Sequence, residues 1–321
     1  MILSFVVLFA NEGLSLEQKT VDNSVIIYSG AEEYRNAYFR KRLTEQFPDY
    51  SISIEYMPTG NLAAKLAAEG INTDIDIIYD LDCGYAGMVE EFLADLSSYD
   101  QSIYVEDCKV KSNKYLIEYR NGGAVVLNLD ILKAKDIKKP TCYKDLLKPE
   151  FRGLISMPNP KSSGTGYMFL KSLVNAWGEE KAFDYFDELS KNILQFTSSG
   201  SGPINALVQG EVAVALGMTP QAVLQINQGA NLEILFFEEG SPFCLYGYAM
   251  PKGKQNKKPV KDVFDFFYST LVMEDDKNFV PEKIFKDIDF EVKNYPINIP
   301  YSDMSGNTTE KKLRLLENWE Y

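Results

Sequence analysis

The strongest constraint on the fold is a regular alternation of strand-like runs and helix-like patterns in the first part of the chain. Strand-like runs lie at 25–27, 51–56 and 75–79, and each is followed by turn residues and then by a helical pattern. This alternation predicts a parallel sheet in an α/β fold. Ligands of such sheets bind at the loops after the carboxyl ends of the strands. These loops hold the first candidate ligand-binding residues, Ser29, Gly30, Thr59, Gly60, Asn61, Asp80 and Asp82.

Two loops of similar composition lie between positions 157 and 217. They span 158–167 and 197–203, are rich in serine, threonine and glycine, and run into helix-like patterns. A helix start offers unpaired backbone N–H groups and the positive end of the helix dipole, which suit an anion. A single loop of this kind is usually an ordinary helix cap. Because two occur together, we expect an anion-binding wall formed by Ser163, Gly164, Thr165, Ser199, Gly200 and Ser201.

Two extended segments are predicted to join two lobes. One runs from 114 to 128 and is broken at 120–123, and the other runs from 245 to 250. The chain between them again alternates strands and helices, which predicts a second α/β lobe. We assign 24–124 plus 248–321 to lobe 1 and 125–247 to lobe 2. Further candidate site residues lie in the connections and in loops of lobe 2, namely Asn121, Tyr246, Thr219 and Glu239.

The composition excludes several classes of function. The 321 residues are 45% hydrophobic and 25% charged, which is typical of a soluble globular protein of about two domains. A formal net charge of -13 argues against nucleic acid and anionic lipid as partners, while a local cup still suits a small anion. The chain has no histidine, so Ser-His-Asp catalysis, Cys-His catalysis and His-ligated zinc are excluded.

Four cysteines, at positions 83, 108, 142 and 244, contain no CxxC motif. Zinc binding and thioredoxin-like redox chemistry are therefore disfavoured. Cys83 and Cys108 belong to the same predicted lobe, and a disulfide between them and free buried thiols are equally compatible with the sequence.

The first ten residues, MILSFVVLFA, are typical of the apolar core of a signal peptide without its basic start. The run is too short to span a bilayer, and no cysteine follows it as a lipid attachment site. The alternative interpretation is an internal strand of a cytosolic protein. Because polar residues follow directly, we expect 1–23 to be a signal-like segment with its lead-in, and the mature protein to be extracytoplasmic.

Several motifs together resemble a family of transport proteins. They are Tyr28-Ser29-Gly30, Thr59-Gly60-Asn61-Leu62-Ala63-Ala64-Lys65-Leu66, Asp76-Ile77-Ile78, Phe151-Arg152-Gly153, Ser163-Gly164-Thr165-Gly166, Ser199-Gly200-Ser201-Gly202, Gly210-Glu211-Val212-Ala213 and Glu239-Gly240. This pattern is similar to the extracellular solute-binding proteins of bacterial ABC importers, in the branch with ferric-iron, thiamine, polyamine, phosphonate and hexose-phosphate binders. The resemblance implies two α/β lobes joined by two crossing strands, a periplasmic-binding-protein-like fold of type II.

The resemblance also implies how such a protein works. The ligand lies in the interlobe cleft, the lobes close around it, and the protein docks on the membrane subunits of an ABC permease. The chemistry is binding without turnover, so we expect no catalytic residue, no resident metal and no cofactor. We also expect a monomer.

The resemblance leaves the ligand open. Ferric-iron binders of this family have adjacent tyrosines where this chain reads GMTPQ at 217–221, and a histidine where it has Glu32. The missing tyrosines weaken the iron hypothesis, while Glu32, Asp80 and Asp82 still suit a cation. The two loops favour a phosphate, phosphonate or carboxylate head. Asp80, Asp82 and Glu239 would then accept hydrogen bonds from the other end of a sugar phosphate or an aminoalkyl phosphonate.

Structural roles are the alternative for several of these residues. Asp80 and Asp82 suit the cap of the next helix, Thr219 suits a cap ahead of a proline, and Glu239 suits a surface turn. Tyr246 suits a packed aromatic position. The alternative of another class is a carboxylate-dependent enzyme on a two-lobe frame. The chain has neither GxxxxGK[ST] nor a GxGxxG after the first strand to support it.

Overall fold

A nine-stranded mixed sheet forms the framework of residues 23–321, the part of the chain that the computed structural model describes. The predicted signal-like segment lies outside these described residues except for Asn23. The strands are β1 (Ser24–Ser29), β2 (Ser51–Tyr56), β3 (Ile77–Asp82), β4 (Leu116–Asn128), β5 (Ile155–Pro158), β6 (Ile193–Thr197), β7 (Val214–Met218), β8 (Leu232–Leu235) and β9 (Phe243–Ala249). Their order is β2-β1-β3-β9-β4-β7-β5-β6, and β8 pairs with β4.

The helices alternate with these strands over most of the chain. They are α1 (Glu33–Gln46), α2 (Thr59–Glu69), α3 (Cys83–Val89), α4 (Leu129–Ala134), α5 (Gly164–Trp177), α6 (Glu179–Ser190), α7 (Gly202–Val208), α8 (Thr219–Asn227), α9 (Lys258–Phe266), α10 (Val272–Asn278) and α11 (Thr309–Glu317). Strands β1, β2 and β3 pair in parallel, as do β5, β6 and β7. The predicted α/β class is therefore confirmed.

Strand β3 is longer than the sequence pattern predicts. The apolar run ends at Tyr79, but strand pairing continues to Asp82, which faces Tyr246 on β9. All six residues of β3 are buried, as expected for a strand covered on both faces. Asp80 and Asp82 therefore lie within the strand, and the prediction that they follow it in a loop was wrong.

Strand β4 changes its partners halfway along its length. Its first part, to Gly122, pairs with β9, and its second part, from Gly123, pairs with β7 and β8. The predicted break at 120–123 is absent, because the two glycines allow close packing without ending the strand. A Cβ atom at Gly122 would lie 2.6 Å from Glu282 Oε1, and one at Gly123 would lie 2.5 Å from the Met168 methyl carbon.

Helix α5 occupies the centre of the molecule. Its residues from Gly164 to Val174 are all buried, so it has no solvent-facing side over three turns. A helix that is buried all round needs an apolar composition, and its run of Met168, Phe169 and Leu170 provides it. The helix packs on α6, β4 and β9, which places its first residues beside the point where β4 changes partners.

The last twenty residues contact elements on both sides of that point. Ser302 Oγ lies 3.0 Å from Ser172 Oγ of α5, and the Trp319 ring packs on Phe186 of α6. On the other side, α11 packs on α3, and Lys312 Nζ pairs with Asp82. This end of the chain thus ties together two groups of strands. The first group is β1, β2, β3 and β9 with the first part of β4, and the second group is β5, β6, β7 and β8 with the second part of β4.

Candidate functional site

A narrow pocket with a cavity volume of about 20 Å³ lies between the two groups of strands. One side of the pocket is lined by the loops after β1 and β2, by strand β3, and by strands β4 and β9. The other side is lined by the start of α5, the loop before α7 and the end of β7. The lining residues are Gly30, Glu32, Tyr56, Pro58, Thr59, Asp80, Tyr119, Ser162, Ser163, Gly164, Thr165, Gly200, Met218 and Tyr246. The pocket therefore lies at the carboxyl ends of the parallel strands, where a ligand is expected in an α/β sheet.

The N-terminus of α5 forms one wall of this pocket. Ser163 caps the helix, because its Oγ accepts a hydrogen bond from the N–H of Gly166 at 3.4 Å. The backbone N–H groups of Gly164 and Thr165 belong to the first turn of α5, where N–H groups have no carbonyl partner within the helix, and they are directed to its N-terminal end. Gly164 is required by space, since a Cβ atom there would lie 2.6 Å from both Asp82 Oδ2 and the Tyr246 hydroxyl. This wall offers N–H and O–H donors at the positive end of a 14-residue helix.

The second Ser/Gly loop contributes less than the sequence suggests. Helix α7 has seven residues, and Ser201 before it makes no side-chain cap bond. Ser199 and Ser201 bond to each other, with their hydroxyl oxygens 3.2 Å apart. Only Gly200 of this loop lines the pocket, where it packs closely on Thr165 of α5. The second loop therefore contributes one residue to the pocket lining, and an anion cup at Ser199, Gly200 and Ser201 stays a prediction.

A buried ion cluster forms the opposite wall. The Arg35 guanidinium lies 3.5 Å from Glu32, 3.2 Å from Asp80 and 2.7 Å from Glu118, and it also pairs with Asp275. Glu32 and Asp80 line the pocket, while Glu118 and Asp275 are fully buried behind them. The Arg35 guanidinium also lies 4.2 Å from the ring centroid of Tyr119. The single guanidinium of Arg35 thus forms ion pairs with four carboxyl groups.

Burial dominates the protonation of this wall. It raises the pKa of Glu32 from 4.5 to about 7, and Arg35 opposes part of that rise. Burial likewise raises the pKa of Asp80, Glu118 and Asp275 above their ordinary values. Desolvation therefore opposes the ionised form of these carboxyl groups, and the charge of Arg35 favours it.

Asp80 has a backbone conformation that is unusual for its residue type. Its φ of 61° lies in the left-handed region, in the middle of a strand. Its N–H donates to Glu118 Oε2 at 2.8 Å, and a Cβ atom on Gly30 would lie 2.6 Å from its carbonyl oxygen. Such strain persists where surrounding contacts fix the residue, and it concentrates at functional sites.

Asp82 has a structural role next to the pocket. Its Oδ1 accepts from the N–H of Gly84 at 2.6 Å and so caps α3, and its Oδ2 pairs with Lys312 at 3.1 Å. Its own N–H donates to Thr59 Oγ1 at 2.8 Å. The capping interpretation therefore holds for Asp82 but not for Asp80, which pairs with Arg35.

The structure brings part of the predicted set together and places the rest elsewhere. The predicted residues that line the pocket are Gly30, Glu32, Thr59, Asp80, Ser163, Gly164, Thr165, Gly200 and Tyr246. Those outside its lining are Ser29, Gly60, Asn61, Asp82, Asn121, Ser199, Ser201, Thr219 and Glu239.

Two of the outlying residues form structural hydrogen bonds, and a third is exposed. Ser29 Oγ donates to Asn36 Oδ1 at 2.8 Å, and the Asn61 side chain is exposed. Glu239 Oε1 accepts a hydrogen bond from Trp177 Nε1 at 3.1 Å, and both residues line a separate surface groove. The polar atoms of Asn121 and the hydroxyl of Thr219 are buried without a hydrogen-bond partner in the described part of the chain.

Five lining residues were not among the predicted site residues, namely Tyr56, Pro58, Tyr119, Ser162 and Met218. Tyr119 and Tyr246 stack with centroids 5.0 Å apart, so one pairing of β4 with β9 supplies both rings. Pro58 and Ser162 directly adjoin predicted residues, which is a signal that sequence analysis can use. Tyr119 carries no such signal, because only the alternation of β4 directs it to the pocket.

The described residues were also compared with the requirements of a disulfide, a metal site and a membrane-spanning helix. All four cysteines are free thiols, so the alternative of a Cys83–Cys108 disulfide is not realised. Within 23–321, no group of three or more histidine, cysteine, aspartate or glutamate side chains has the arrangement of a metal site. No helix in this range is both long and apolar enough to cross a membrane.

Comparisons with known proteins agree with this geometry. Residues 45–281 match the family model described as bacterial extracellular solute-binding protein. An uncharacterized protein of Haemophilus influenzae is 27% identical over 252 residues, 76% of this chain and 72% of that protein. The spermidine/putrescine-binding periplasmic protein of Escherichia coli is 23% identical over 258 residues, 78% of this chain and 68% of that protein.

A solved structure resembles the whole described chain. It is the periplasmic binding protein AfuA from Actinobacillus pleuropneumoniae with exogenous fructose-6-phosphate bound. It aligns with a TM-score of 0.81 and 27% identity over 92% of this chain and 97% of that one. The two-sided pocket, the crossing strands and the family match lead to one conclusion: this chain belongs to the bacterial extracellular solute-binding proteins, the substrate-binding components of ABC importers.

Proposed function

We propose that this protein binds a small solute with a phosphate or phosphonate group in its interlobe pocket and delivers it to an ABC permease. It acts outside the cytoplasm as a monomer, and it catalyses no reaction. The observation that carries the proposal is the N-terminus of α5 in the pocket wall, with Ser163, Gly164 and Thr165 as its donors. Backbone N–H groups, hydroxyls and a helix dipole that converge on one point suit an anion.

Two further observations support this class of ligand. AfuA, at 27% identity, binds fructose-6-phosphate and shares the two-lobe frame. Tyr119 and Tyr246 supply flat apolar surface beside the donors, as small-molecule pockets usually do.

Thermal melting tests the proposal directly. A ligand at a hundredfold its dissociation constant stabilises the folded state by about 2.7 kcal/mol. The panel contains a hexose phosphate, 2-aminoethylphosphonate, inorganic phosphate, putrescine and ferric citrate. We expect a rise in Tm only with compounds that carry a phosphate or phosphonate group. A rise with putrescine alone would contradict the proposal.

A pair of threonine variants tests the donor wall. Thr165→Val keeps the shape of the side chain but removes the hydroxyl, and we expect about tenfold weaker binding of a phosphonate. Thr44→Val is the matched control, because Thr44 lies on the exposed side of α1 and bonds only to its own helix. Equal affinities of both variants would remove Thr165 from the site.

Ferric iron is the second candidate ligand. The tyrosines expected for an iron site are absent at 217–221, but the fold brings three others, Tyr56, Tyr119 and Tyr246, to line the same pocket as Glu32 and Asp80. Burial raises the pKa of Tyr119 and Tyr246, which disfavours the phenolate form that binds iron. An Fe³⁺–phenolate site would give a visible charge-transfer band with ferric citrate, and we expect none.

A further inference from the structure

Helix α3 follows β3 of the first group of strands, and it contacts the loop that precedes α5 in the second group. The Tyr85 hydroxyl of α3 donates to the carbonyl oxygens of Pro160 at 3.3 Å and Lys161 at 3.4 Å. This loop continues into Ser162 and Ser163, which line the pocket. One phenol thus links the two walls of the pocket by a hydrogen bond across the interlobe cleft.

Gly60 brings a second part of the first group against the same loop. It is the second residue of α2, and a Cβ atom there would lie 3.2 Å from the Lys161 carbonyl oxygen and 3.3 Å from that of Ser162. The same Cβ atom would lie 3.3 Å from the Tyr85 hydroxyl. The loop is therefore seated against both α2 and α3, and the absence of a side chain at Gly60 allows the approach.

The ring of Tyr85 is held by a charge from the last helix. Lys312 Nζ of α11 lies 3.2 Å from the Tyr85 ring centroid and 3.1 Å from Asp82 Oδ2. Tyr85 is 4% exposed, and Lys312 is fully buried. A cation over an aromatic face is attracted to it, more strongly when both groups are removed from water. The Tyr85 hydroxyl is thus directed to the loop by a ring whose orientation is fixed.

The segment that carries Lys312 is bound to elements of the second group. Lys171 Nζ of α5 donates to the Ser305 carbonyl oxygen at 2.6 Å, and the Trp319 ring packs on aromatic rings of α6 and β6. Lys312 therefore reaches the Tyr85 ring from a segment that is attached to the other side of the cleft. Both contacts of Tyr85, through its hydroxyl and through its ring face, join elements of different groups.

Contacts between the walls act differently from contacts within one wall. Closure of two lobes is a hinge motion, and the packing within each lobe is retained throughout it. A contact that exists only in the closed arrangement shifts the population toward that arrangement by its own free energy. A hydrogen bond of ordinary net strength shifts the ratio of closed to open molecules about fivefold. The Tyr85 hydroxyl has this property, because both of its acceptors lie on the other wall.

We infer that Tyr85 is a positioning residue whose hydroxyl stabilises the closed arrangement of the two lobes, with Lys312 holding its ring in place. Tyr85 is outside the pocket lining, so it acts on the loop before α5 and not on the solute. The inference goes beyond the proposed function, because the contact forms with any solute of the pocket. A solute that binds between the walls gains affinity from it, since the contact contributes part of the free energy of closure.

Single-molecule energy transfer between the lobes tests the inference on dialysed protein without added solute. Labels on noncanonical residues in place of the exposed Lys41 and Lys191 leave the four cysteines unlabelled. We expect Tyr85→Phe to raise the ratio of open to closed molecules about fivefold. Tyr104→Phe is the matched control, because its hydroxyl donates to the Ile117 carbonyl oxygen at 2.8 Å within lobe 1. Both variants lose a bond from a phenol to a carbonyl, but only Tyr85→Phe should change the distance between the lobes.

Gly60→Ala is a second variant, and it keeps Tyr85 intact. Alanine suits the first turn of α2, but its methyl group would press on the carbonyl oxygens of Lys161 and Ser162. We expect it to shift the population toward open molecules as well. A shift with Gly60→Ala alone would overturn the role of the Tyr85 hydroxyl. An unchanged distribution in both variants, or an equal shift in Tyr104→Phe, would overturn the inference, whereas the identity of the solute is tested separately by thermal melting.

Discussion

Lys312 Nζ lies 3.1 Å from Asp82 Oδ2, although 230 residues separate them in the chain. The lysine is fully buried, and its ammonium lies 3.2 Å from the ring centroid of Tyr85 and 4.4 Å from that of Tyr167. Tyr85 belongs to α3 on one side of the pocket and Tyr167 to α5 on the other. One side chain from the last helix therefore joins both walls of the site.

Lys312→Met is expected to destabilise the protein by about 3–5 kcal/mol, because it leaves Asp82 buried without its counter-charge. Urea unfolding measures the change. Arg314→Met on the same helix is the matched control, since its pair with Glu179 is exposed and such pairs contribute about 0–1 kcal/mol. If both variants cost the same, the buried pair is not what holds α11 in place.

The pH dependence of stability is expected to reflect Glu32. Its folded pKa of about 7 is above its ordinary value of 4.5, so the folded state holds more protons than the unfolded state between these two values. Stability from this group is fully present below about pH 4.5 and is lost as pH rises through about 7, a change of up to about 3 kcal/mol. Wild-type Tm should therefore be higher at pH 5.5 than at pH 7.5.

Glu32→Gln should reduce that difference in Tm, because the amide does not titrate. Asp80, Glu118 and Asp275 also have raised pKa values and will leave a residual slope of the same sign. Glu33→Gln should behave as wild type. A Glu32→Gln profile that matches the wild-type profile would show that Glu32 is ionised throughout this range.

Gly164→Ala is expected to weaken binding of a phosphonate by at least about tenfold. Gly164 is the first residue of α5, where alanine suits the helix. Its Cβ atom would lie 2.6 Å from Asp82 Oδ2 and from the Tyr246 hydroxyl, so the two walls could not approach as they do now. Gly210→Asn is the control, because its Cβ atom would meet nothing within 4 Å and asparagine tolerates its φ of 79°. Unchanged affinity in Gly164→Ala would show that the approach is unnecessary.

Local patterns predicted the parts of the site that local chemistry determines. Gly30 and Thr59 follow strands, and Ser163 precedes a helix, so position in the α/β alternation was enough to place them. The same reasoning does not distinguish Ser199 and Ser201, which lie outside the pocket lining and bond to each other. The length of the helix that follows a loop is set by packing, so composition alone does not show which serines of a loop line a pocket.

The sequence alone does not show which residues pair with the buried charges. Arg35 and Asp275 are 240 residues apart, and no periodicity links them. Asp80 lines the pocket, but the sequence pattern placed it in a loop, because the left-handed backbone within β3 has no signature in an aspartate. Glu239 was assigned by its family motif, and its bond to Trp177 depends on how α5 meets the β8–β9 connection.

Trp319→Ala is expected to cost about 3–5 kcal/mol of folding stability, which urea unfolding will measure. The Trp319 ring is 1% exposed and packs edge-on against Phe186 at 5.2 Å and Phe196 at 5.7 Å. Its indole nitrogen has no hydrogen-bond partner among the described residues, so the loss arises from packing, and Trp319→Phe should restore much of it. Leu313→Ala, at a 43% exposed position of α11, should cost less than about 1 kcal/mol. If Trp319→Ala is as mild as Leu313→Ala, the end of the chain does not stabilise the second group of strands, and its contacts there are incidental.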